Sequence, residues 1–238
     1  MTVPLFRDDA YLTRTAAVVT GVNEQGGILL ERTVFYPTGG GQPGDKGRLI
    51  LADGTTIEIA TAVKGDAADE IVHVPADGSP LPEIGAQVTA EIDWETRHRL
   101  MRMHSCLHLL SAVLPYPVTG GQVSDGKGRL DFDLPEATLD KEEITTELNR
   151  IIRENHTLTS DWISEEELDA QPELVKTMSV QPPRGAGKIR LIRVAGVDLQ
   201  PCGGTHVRHT AEIGAVRVRK IEKKGRQNRR VSLEFVEQ

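Results

Sequence analysis

The periodicity of apolar residues changes at Asp93, and the change separates two parts of the chain that need different folds. Upstream, short alternating stretches are bounded by glycine and proline, a pattern typical of strands and turns. Downstream, apolar residues recur every three or four positions as far as Pro115, which predicts a long helix with Asp93 as its N-cap. We therefore expect two domains, over residues 1–92 and 93–238.

The first domain is predicted to be a small antiparallel β-barrel, because several short strands follow one another at close spacing. Segments rich in glycine or proline separate them. The expected strands read TAAVVTGV, GILLERTVF, TTIEIATAV, EIVHV and AQVTAEI, and the two longest separators read PTGGGQPGDKG and PADGSPLPEIG.

The second domain mixes helices with strands, so its predicted class is α+β. One apolar face of the long helix is formed by Leu100, Met103, Leu107, Leu110 and Leu114. Two further helices are expected in TLDKEEITTELNRIIRENH and in SEEELDA, where Ser164 and Glu167 form a capping box. The expected strands read GRLDFDL, KIRLIRVAG, GAVRVRKIE and RRVSLEFVE.

Composition limits the class of protein. The 238 residues are 38% hydrophobic and 26% charged, as in ordinary globular proteins, and two cysteines are too few for a disulfide framework. The sequence contains no run of 18 apolar residues, so no membrane span is predicted, and the N-terminus lacks the pattern of a secretory signal. We therefore expect a cytoplasmic protein that needs no membrane.

Charge is unevenly distributed along the chain. The net charge is −7, but residues 174–238 carry 14 Lys and Arg against five Asp and Glu. A basic C-terminal third favours phosphate binding. The alternative is a solvated strand edge protected by lysine and arginine.

Two short motifs together contain the ligands that zinc prefers. HSCLH lies in the long helix, so His104 and His108 share one face at i and i+4. CGGTH holds Cys202 and His206, and its glycines are expected to let the backbone turn sharply. Three nitrogens and one thiolate suit one tetrahedral Zn²⁺. Cys106 is expected to point away and pack.

Other histidines leave alternatives open. His209 extends the second motif and His98 precedes the first on a different side of the helix, whereas His73 and His156 are expected to be surface or capping residues. Four protein ligands usually indicate a closed structural site. The separation of 94 residues between the two pairs favours a site organised around a cleft, and hence catalysis.

HSCLH, CGGTHV and AEIGAVRV, in this order, resemble the editing domain of alanyl-tRNA synthetases and of the free-standing AlaX-type alanyl-tRNA editing proteins. FYPTGGGQPGDKG and VTGGQVSDGKGRLDFDL resemble further motifs of that family, so the likeness runs from about residue 5 to residue 236. No part of the chain is left for an aminoacylation core. We expect a free-standing protein of the medium type, which acts in trans.

The resemblance implies the cofactor and the reaction. One Zn²⁺ would be held by His104, His108, Cys202 and His206, and the substrate would be tRNA(Ala) charged with serine, with glycine as a second candidate. The reaction is hydrolysis of the aminoacyl ester and needs no ATP. A pocket for alanine rejects an added hydroxyl only about 10²-fold, so a separate editing site is useful.

The resemblance also implies substrate contacts. Thr38, Gln42 and Gln122 are predicted catalytic positions, although Thr38 is also a plausible turn residue. Gly39, Gly40 and Gly41 would receive the oxyanion or the terminal ribose through backbone amides. The acceptor stem would contact Arg217, Arg219, Lys220, Lys223 and Lys224, with Arg226, Arg229 and Arg230 nearby. Asp198 is expected either to orient a ligand histidine or to form a turn.

Two rival functions remain at this point. One is a zinc-stabilised RNA-binding module without catalysis, and the other is a metallohydrolase acting on a small ester or amide. The sequence leaves open the preference for serine or glycine, the oligomeric state, and whether the attacking water or the aminoacyl group binds the metal.

Overall fold

A computed structural model describes residues 2–67, 69–134, 139–178 and 187–236. The chain forms two compact units, Met1–His98 and Arg99–Gln238. The domain limit between residues 92 and 93 stays a prediction from the sequence. Among the described residues, no helix combines the length and the apolar character that a membrane span needs.

The first unit is built on a closed antiparallel barrel of six strands, in the order β2-β3-β7-β6-β5-β8. The prediction of a small barrel is therefore confirmed. A short parallel pair, β1 with β4, lies outside the barrel. The strands of this unit are β1 (Val3–Pro4), β2 (Arg14–Val22), β3 (Ile28–Leu30), β4 (Arg32–Thr33), β5 (Gly47–Leu51), β6 (Thr56–Lys64), β7 (Ile71–Pro75) and β8 (Gln87–Ile92).

Strand β5 completes the barrel and was absent from the sequence prediction. It lies between β6 and β8, and its fully buried Leu49 is opposite Ile57 on one side and Ala90 on the other. It begins at Gly47, the last residue of the glycine-rich segment PTGGGQPGDKG, so no turn residue outside that segment separates the two in the sequence. Without it the barrel would have two open edges.

A buried ion pair holds the end of the glycine-rich segment in this unit. The Arg97 guanidinium donates to both carboxylate oxygens of Asp45, with 2.8 Å between Nε and Oδ1, and neither side chain is more than 1% exposed. Arg97 also donates to the carbonyl oxygens of Ala10 at 2.9 Å and Val34 at 2.7 Å. Asp45 in turn accepts from the backbone N–H of Tyr36. The charge of Arg97 is thus compensated by a carboxylate and two carbonyls.

His73 corrects one expectation from the sequence, which placed it at the surface or at a cap. It is fully buried in β7, where its Nε2 lies 2.7 Å from Oγ1 of Thr33 and its Nδ1 lies 3.0 Å from the carbonyl oxygen of Ile28. Burial lowers its pKa to about 4. The side chain is therefore a neutral, hydrogen-bonded part of the barrel.

The second unit contains two antiparallel sheets, with strand orders β14-β15-β10-β9 and β11-β12-β13, which confirms the predicted α+β class. Helix α1 begins in the first unit and continues here. The elements are α1 (Trp94–Val113), β9 (Val118–Ser124), β10 (Lys127–Asp133), α2 (Lys141–Arg153), β11 (Leu158–Ser164), α3 (Glu165–Asp169), β12 (Lys188–Val194), β13 (Asp198–Pro201), β14 (Val216–Lys224) and β15 (Asn228–Phe235).

Helix boundaries follow the predicted caps. Asp93 accepts from the backbone N–H of Thr96 at 3.1 Å, which confirms it as the N-cap of α1. Ser164 and Glu167 form the expected capping box at the start of α3. Strands β9, β11 and β13 were missed, since each is short or carries mostly polar residues.

Helix α1 is more deeply buried than a one-sided apolar helix. The five predicted apolar residues, Leu100 to Leu114, are all buried, which confirms that face. Every residue from Met103 to Ser111 is buried as well, including Cys106, whose packing role is confirmed. The middle of α1 therefore brings its polar side chains into the interior of the unit.

Candidate metal centre

His104, His108, Cys202 and His206 converge, with one ligand atom from each lying within 4.8 Å of the others. Sγ of Cys202 is 3.5 Å from Nε2 of His104 and 3.3 Å from Nε2 of His206. All three histidines are buried, while Cys202 has intermediate exposure. The group does not include His98, which stacks on Trp94, or His209, which is exposed.

The geometry fits a tetrahedral zinc ion. With Zn–S near 2.3 Å and Zn–N near 2.0–2.1 Å, a tetrahedral site has sulfur-to-nitrogen distances of about 3.6 Å. The two distances from Cys202 Sγ to histidine nitrogens, 3.5 and 3.3 Å, are close to that value. Three imidazoles and a thiolate are also the donors that zinc prefers over magnesium or calcium.

Two local structures place these ligands. His104 and His108 lie one turn apart on α1, as their spacing requires. Cys202 follows the last residue of β13, and its backbone N–H donates to the carbonyl oxygen of Arg190 on β12 at 3.0 Å. The pairing of β12 with β13 therefore decides where the CGGTH motif meets the helix.

Asp198 lies behind His108, where its carboxylate Oδ2 is 3.4 Å from Nδ1 of the imidazole. That is an ion-pair distance without the alignment of a good hydrogen bond, and it leaves Nε2 of His108 as the nitrogen available to the cluster. Asp198 is also paired with Lys176 and accepts from Gln200 Nε2 at 2.6 Å. Of the two roles expected for Asp198, the structure supports orienting a ligand histidine.

Residues outside the predicted set complete the surroundings of the ligands. Ser105 Oγ lies 3.2 Å from Nδ1 of His206 and accepts from the backbone N–H of Val207 at 3.2 Å. Gln200 Nε2 donates to Ser111 Oγ at 3.0 Å. Gln200 lies two positions from Asp198 on one strand, so spacing alone could have suggested it, whereas Ser105 is adjacent to His104 on the helix and its contact with His206 could not be read from spacing.

Arg190 holds the CGGTH loop in shape. Its Nη1 donates to the carbonyl oxygens of Cys202 at 3.2 Å and Gly204 at 2.8 Å. Within the loop itself, the backbone N–H of Gly204 donates to Sγ of Cys202 at 3.4 Å. No motif in the sequence identified Arg190, since it belongs to a separate strand.

The two glycines of CGGTH do not act as the sequence suggested. Neither Gly203 nor Gly204 adopts a positive φ, so the turn does not depend on a left-handed glycine. A Cβ at Gly203 would meet no atom within 4 Å, and this residue is exposed. Gly203 therefore faces solvent, next to Cys202, whose own exposure is intermediate.

The ligands influence one another's ionisation. Burial acts to raise the pKa of the Cys202 thiol, but the nearby His104 and His206 hold it well below its ordinary value. Burial likewise acts to lower the pKa of His108, yet Asp198 and Cys202 raise it to about 9. A lowered pKa favours the thiolate form of the cysteine, which is the form that binds metal.

The glycine-rich segment belongs to the first unit and forms a tight turn. Thr38 is exposed, and its Oγ1 accepts from the backbone N–H of Gly44 at 2.9 Å, which is the turn role considered from the sequence. Gln42 is buried and exchanges backbone hydrogen bonds with Gly39. Gly40 and Gly41 have φ values of +56° and +80°, which favour glycine. A role in substrate binding stays a prediction.

Gln122 lies on the exposed side of β9 in the second unit. Its Oε1 accepts from Arg129 Nε at 3.1 Å, and both residues line a cavity of about 140 Å³ together with Lys127, Arg219 and Ser232. This cavity carries three cationic side chains. Whether Gln122 contacts substrate stays a prediction.

The predicted acceptor-stem residues lie on β14, but several are paired with acidic residues. Arg217 and Arg219 contact Glu234 at 2.7 and 3.5 Å, while Lys220 and Lys224 contact Glu222 at 3.0 and 3.3 Å. Such exposed pairs contribute at most about 1 kcal/mol, so a phosphate could displace the carboxylates. The basic strand is therefore less cationic than its sequence suggests.

Comparisons with known proteins match both units. The family model described as "Threonyl and Alanyl tRNA synthetase second additional domain" matches residues 189–232, which include CGGTH. The model described as "tRNA synthetases class II (A)" matches residues 8–96.

Individual relatives match nearly the whole chain. It is 34% identical to the "Alanyl-tRNA editing protein AlaX-M" of Methanosarcina acetivorans, over 97% of this chain and 98% of that protein. The protein of the same name from Methanosarcina mazei is 33% identical over 100% of this chain and 98% of the relative. An "Alanine--tRNA ligase" of Pyrobaculum neutrophilum is 33% identical over 92% of this chain but only 25% of its own length. On this similarity over nearly their full lengths, the chain belongs to the family of alanyl-tRNA editing proteins.

Proposed function

We propose that this protein is a zinc-dependent deacylase that removes serine, and as a second candidate glycine, from mischarged tRNA(Ala) in the cytoplasm. The observation that carries the proposal is the cluster of His104, His108, Cys202 and His206 in a chain of this family, with Cys202 as its most exposed member. The partial exposure of Cys202 favours a site that a substrate reaches over a closed structural site.

In the proposed reaction a water oxygen bonds to the ester carbonyl carbon, the bond from that carbon to the ribose oxygen breaks, and a proton from the water ends on the ribose oxygen. The products are a free amino acid and tRNA with its terminal hydroxyl restored. Bound zinc supplies Lewis acidity, which stabilises negative charge that develops on the substrate oxygen. No ATP is consumed.

The chain's own residues hold the site for this reaction. Asp198 keeps the His108 ring in place at 3.4 Å, and Ser105 does the same for His206 at 3.2 Å. Arg190 fixes the carbonyls of Cys202 and Gly204 in the loop that carries Cys202 and His206. The sequence resemblance supports six proposed substrate contacts: Thr38, Gly39, Gly40, Gly41, Gln42 and Gln122. The basic residues of β14 are the proposed contacts for the acceptor stem.

Deacylation of defined substrates tests the proposal. We expect release of serine from Ser-tRNA(Ala), slower or no release from Ala-tRNA(Ala), and none from Ser-tRNA(Ser); Gly-tRNA(Ala) decides the second candidate. The Cys202→Ala variant should be folded and inactive. The matched control is Cys106→Ala, which removes the other cysteine and should remain active, because Cys106 is buried outside the cluster.

Removal of the metal separates the proposal from its rivals. Since the second unit has its own hydrophobic core, a chelated sample should keep its circular dichroism spectrum while losing activity, and Zn²⁺ should restore the activity. Unfolding on chelation would favour the zinc-stabilised RNA-binding module. If a small seryl ester were cleaved as fast as Ser-tRNA(Ala), at a rate independent of salt, the general metallohydrolase would be favoured.

A further inference from the structure

Trp162 is an exposed aromatic side chain on the strand farthest from the metal cluster in the three-stranded sheet. All nine aromatic residues of the chain lie in the described ranges, and Trp162 alone is exposed, at 45%. Exposure of a tryptophan gives up the burial that stabilises such side chains elsewhere. We therefore ask which ligand would cover the Trp162 ring.

Trp162, Arg190 and Cys202 lie side by side across the three-stranded sheet, and this set is called the row below. Trp162 on β11 is directly opposite Arg190 on β12, and the backbone N–H of Cys202 donates to the carbonyl oxygen of Arg190. Directly opposed residues in a sheet share a face. With strands about 4.8 Å apart, the backbones of Trp162 and Cys202 are about 10 Å apart.

That face is the one that supports the cluster. Asp198 and Gln200 are opposite Val194 and Ile192, which share the face of Arg190 by the two-residue period of β12. Asp198 contacts His108, and Gln200 contacts Ser111 on the same helix. The side chain of Arg190 in this row already reaches the carbonyls of Cys202 and Gly204.

The surroundings of Trp162 are exposed and carry charge of both signs, because the acidic residues Glu165–Glu167 follow β11 and Lys188 lies on the neighbouring strand. Ser160, two positions earlier on the same face, is also exposed. Lys188, exposed and opposite Ser164, lies on this face two positions before Arg190. An aromatic ring beside a lysine is the combination that binds a nucleotide by stacking and phosphate contact.

We propose that Trp162 stacks on the terminal adenine of the aminoacyl-tRNA, and that Lys188 contacts the adjoining phosphate, so that this row positions the aminoacyl ester at the metal cluster. The inference rests on the proposed function for the identity of the ligand. Along the row the backbones of Trp162 and Cys202 are about 10 Å apart, two strand spacings. Stacking of this kind tolerates substitution of one aromatic ring by another.

Binding can be tested without catalysis. The chain has two tryptophans, so a Trp94→Phe variant isolates the fluorescence of Trp162. We expect uncharged tRNA(Ala) ending in CCA to quench this fluorescence, and the same tRNA lacking the terminal A to quench it much less. Equal quenching, or no quenching, by the two tRNAs would overturn the proposal, whether or not the protein deacylates anything.

Kinetics give the second readout. With Ser-tRNA(Ala), Trp162→Ala should raise KM about tenfold and leave kcat within about twofold, while Trp162→Phe should restore KM to within about threefold. The control is Met178→Ala, another exposed large apolar side chain, which should leave KM unchanged. An unchanged KM in Trp162→Ala contradicts the adenine contact. Terminal-A-dependent quenching in a protein without deacylase activity would instead support the contact and contradict the proposed function.

Discussion

The carboxylate of Asp198 lies 3.4 Å from Nδ1 of His108 and is itself held by Lys176 and Gln200. This arrangement fixes one ring nitrogen of a metal ligand so that the opposite nitrogen faces the cluster. Contacts of this kind orient the imidazole and raise its basicity. They therefore affect metal affinity directly.

We expect Asp198→Asn to weaken Zn²⁺ binding about 10- to 100-fold, because the charge that supports His108 is lost. Competition with a chromogenic chelator measures this affinity. The control is Asp161→Asn on β11, where an exposed aspartate pairs with Arg193 at 3.3 Å outside the cluster. Equal zinc affinities for wild type and Asp198→Asn would show that the carboxylate does not support the ligand.

The buried pair of Arg97 and Asp45 should be important for stability. Asp45→Asn leaves a fully buried guanidinium without its carboxylate, which costs about 3–5 kcal/mol of unfolding free energy. Glu91→Gln removes the partner of the more exposed Arg48 and should cost no more than about 1 kcal/mol. Urea unfolding in a Trp162→Phe background, in which only Trp94 of the first unit fluoresces as a tryptophan, compares the two. If both variants lost a similar amount of unfolding free energy, the buried pair would not be a major contributor to stability.

Buried His73 should make the first unit less stable in acid. Its pKa falls from an ordinary 6.5 to about 4 in the folded protein, so between these values the unfolded chain binds a proton that the folded chain does not. The free energy of unfolding therefore decreases as pH falls from 6.5, by about 2 kcal/mol at pH 5, and the full stability is present above pH 6.5.

His73→Gln removes this titrating group, so the difference in stability between pH 7.5 and pH 5 should shrink by that amount. Unfolding curves at both pH values, with His156→Gln as the control at a partly exposed histidine, measure the difference. An NMR titration in which the His73 ring protonates near pH 6.5 would refute the explanation.

The pairing of Arg219 with Glu234 predicts how tRNA binding depends on salt. We expect Arg219→Gln to weaken binding of tRNA(Ala) and to reduce the slope of log K against log salt by about one, since one phosphate contact is lost. Glu234→Gln frees Arg217 and Arg219 from their shared carboxylate and should strengthen binding. Filter binding at several salt concentrations tests both variants, and unchanged slopes would place the acceptor stem elsewhere.

The sequence by itself determined much of the local structure and the candidate residues for a metal site, among which His98 and His209 were still open. Caps at Asp93 and Ser164 act within one helical turn, and the i, i+4 spacing of His104 and His108 requires one shared helix face. Alternation, together with the glycine-rich and proline-rich separators, identified most barrel strands. The chemistry of three imidazoles and one thiolate identified the four residues that the fold brings together.

Only the tertiary structure decided which distant segments meet. The register of β12 with β13 delivers Cys202 and His206 to α1, and it places Arg190 beside the loop and Trp162 in the same row. Strand β5 closes the barrel although the sequence analysis did not separate it from the preceding glycine-rich segment, and burial makes His73 neutral although it was expected at the surface or at a cap. These contacts join residues far apart in sequence, as Ser105 and Val207 do across 102 positions. Their free energy depends on strand pairing and burial, which no local pattern contains.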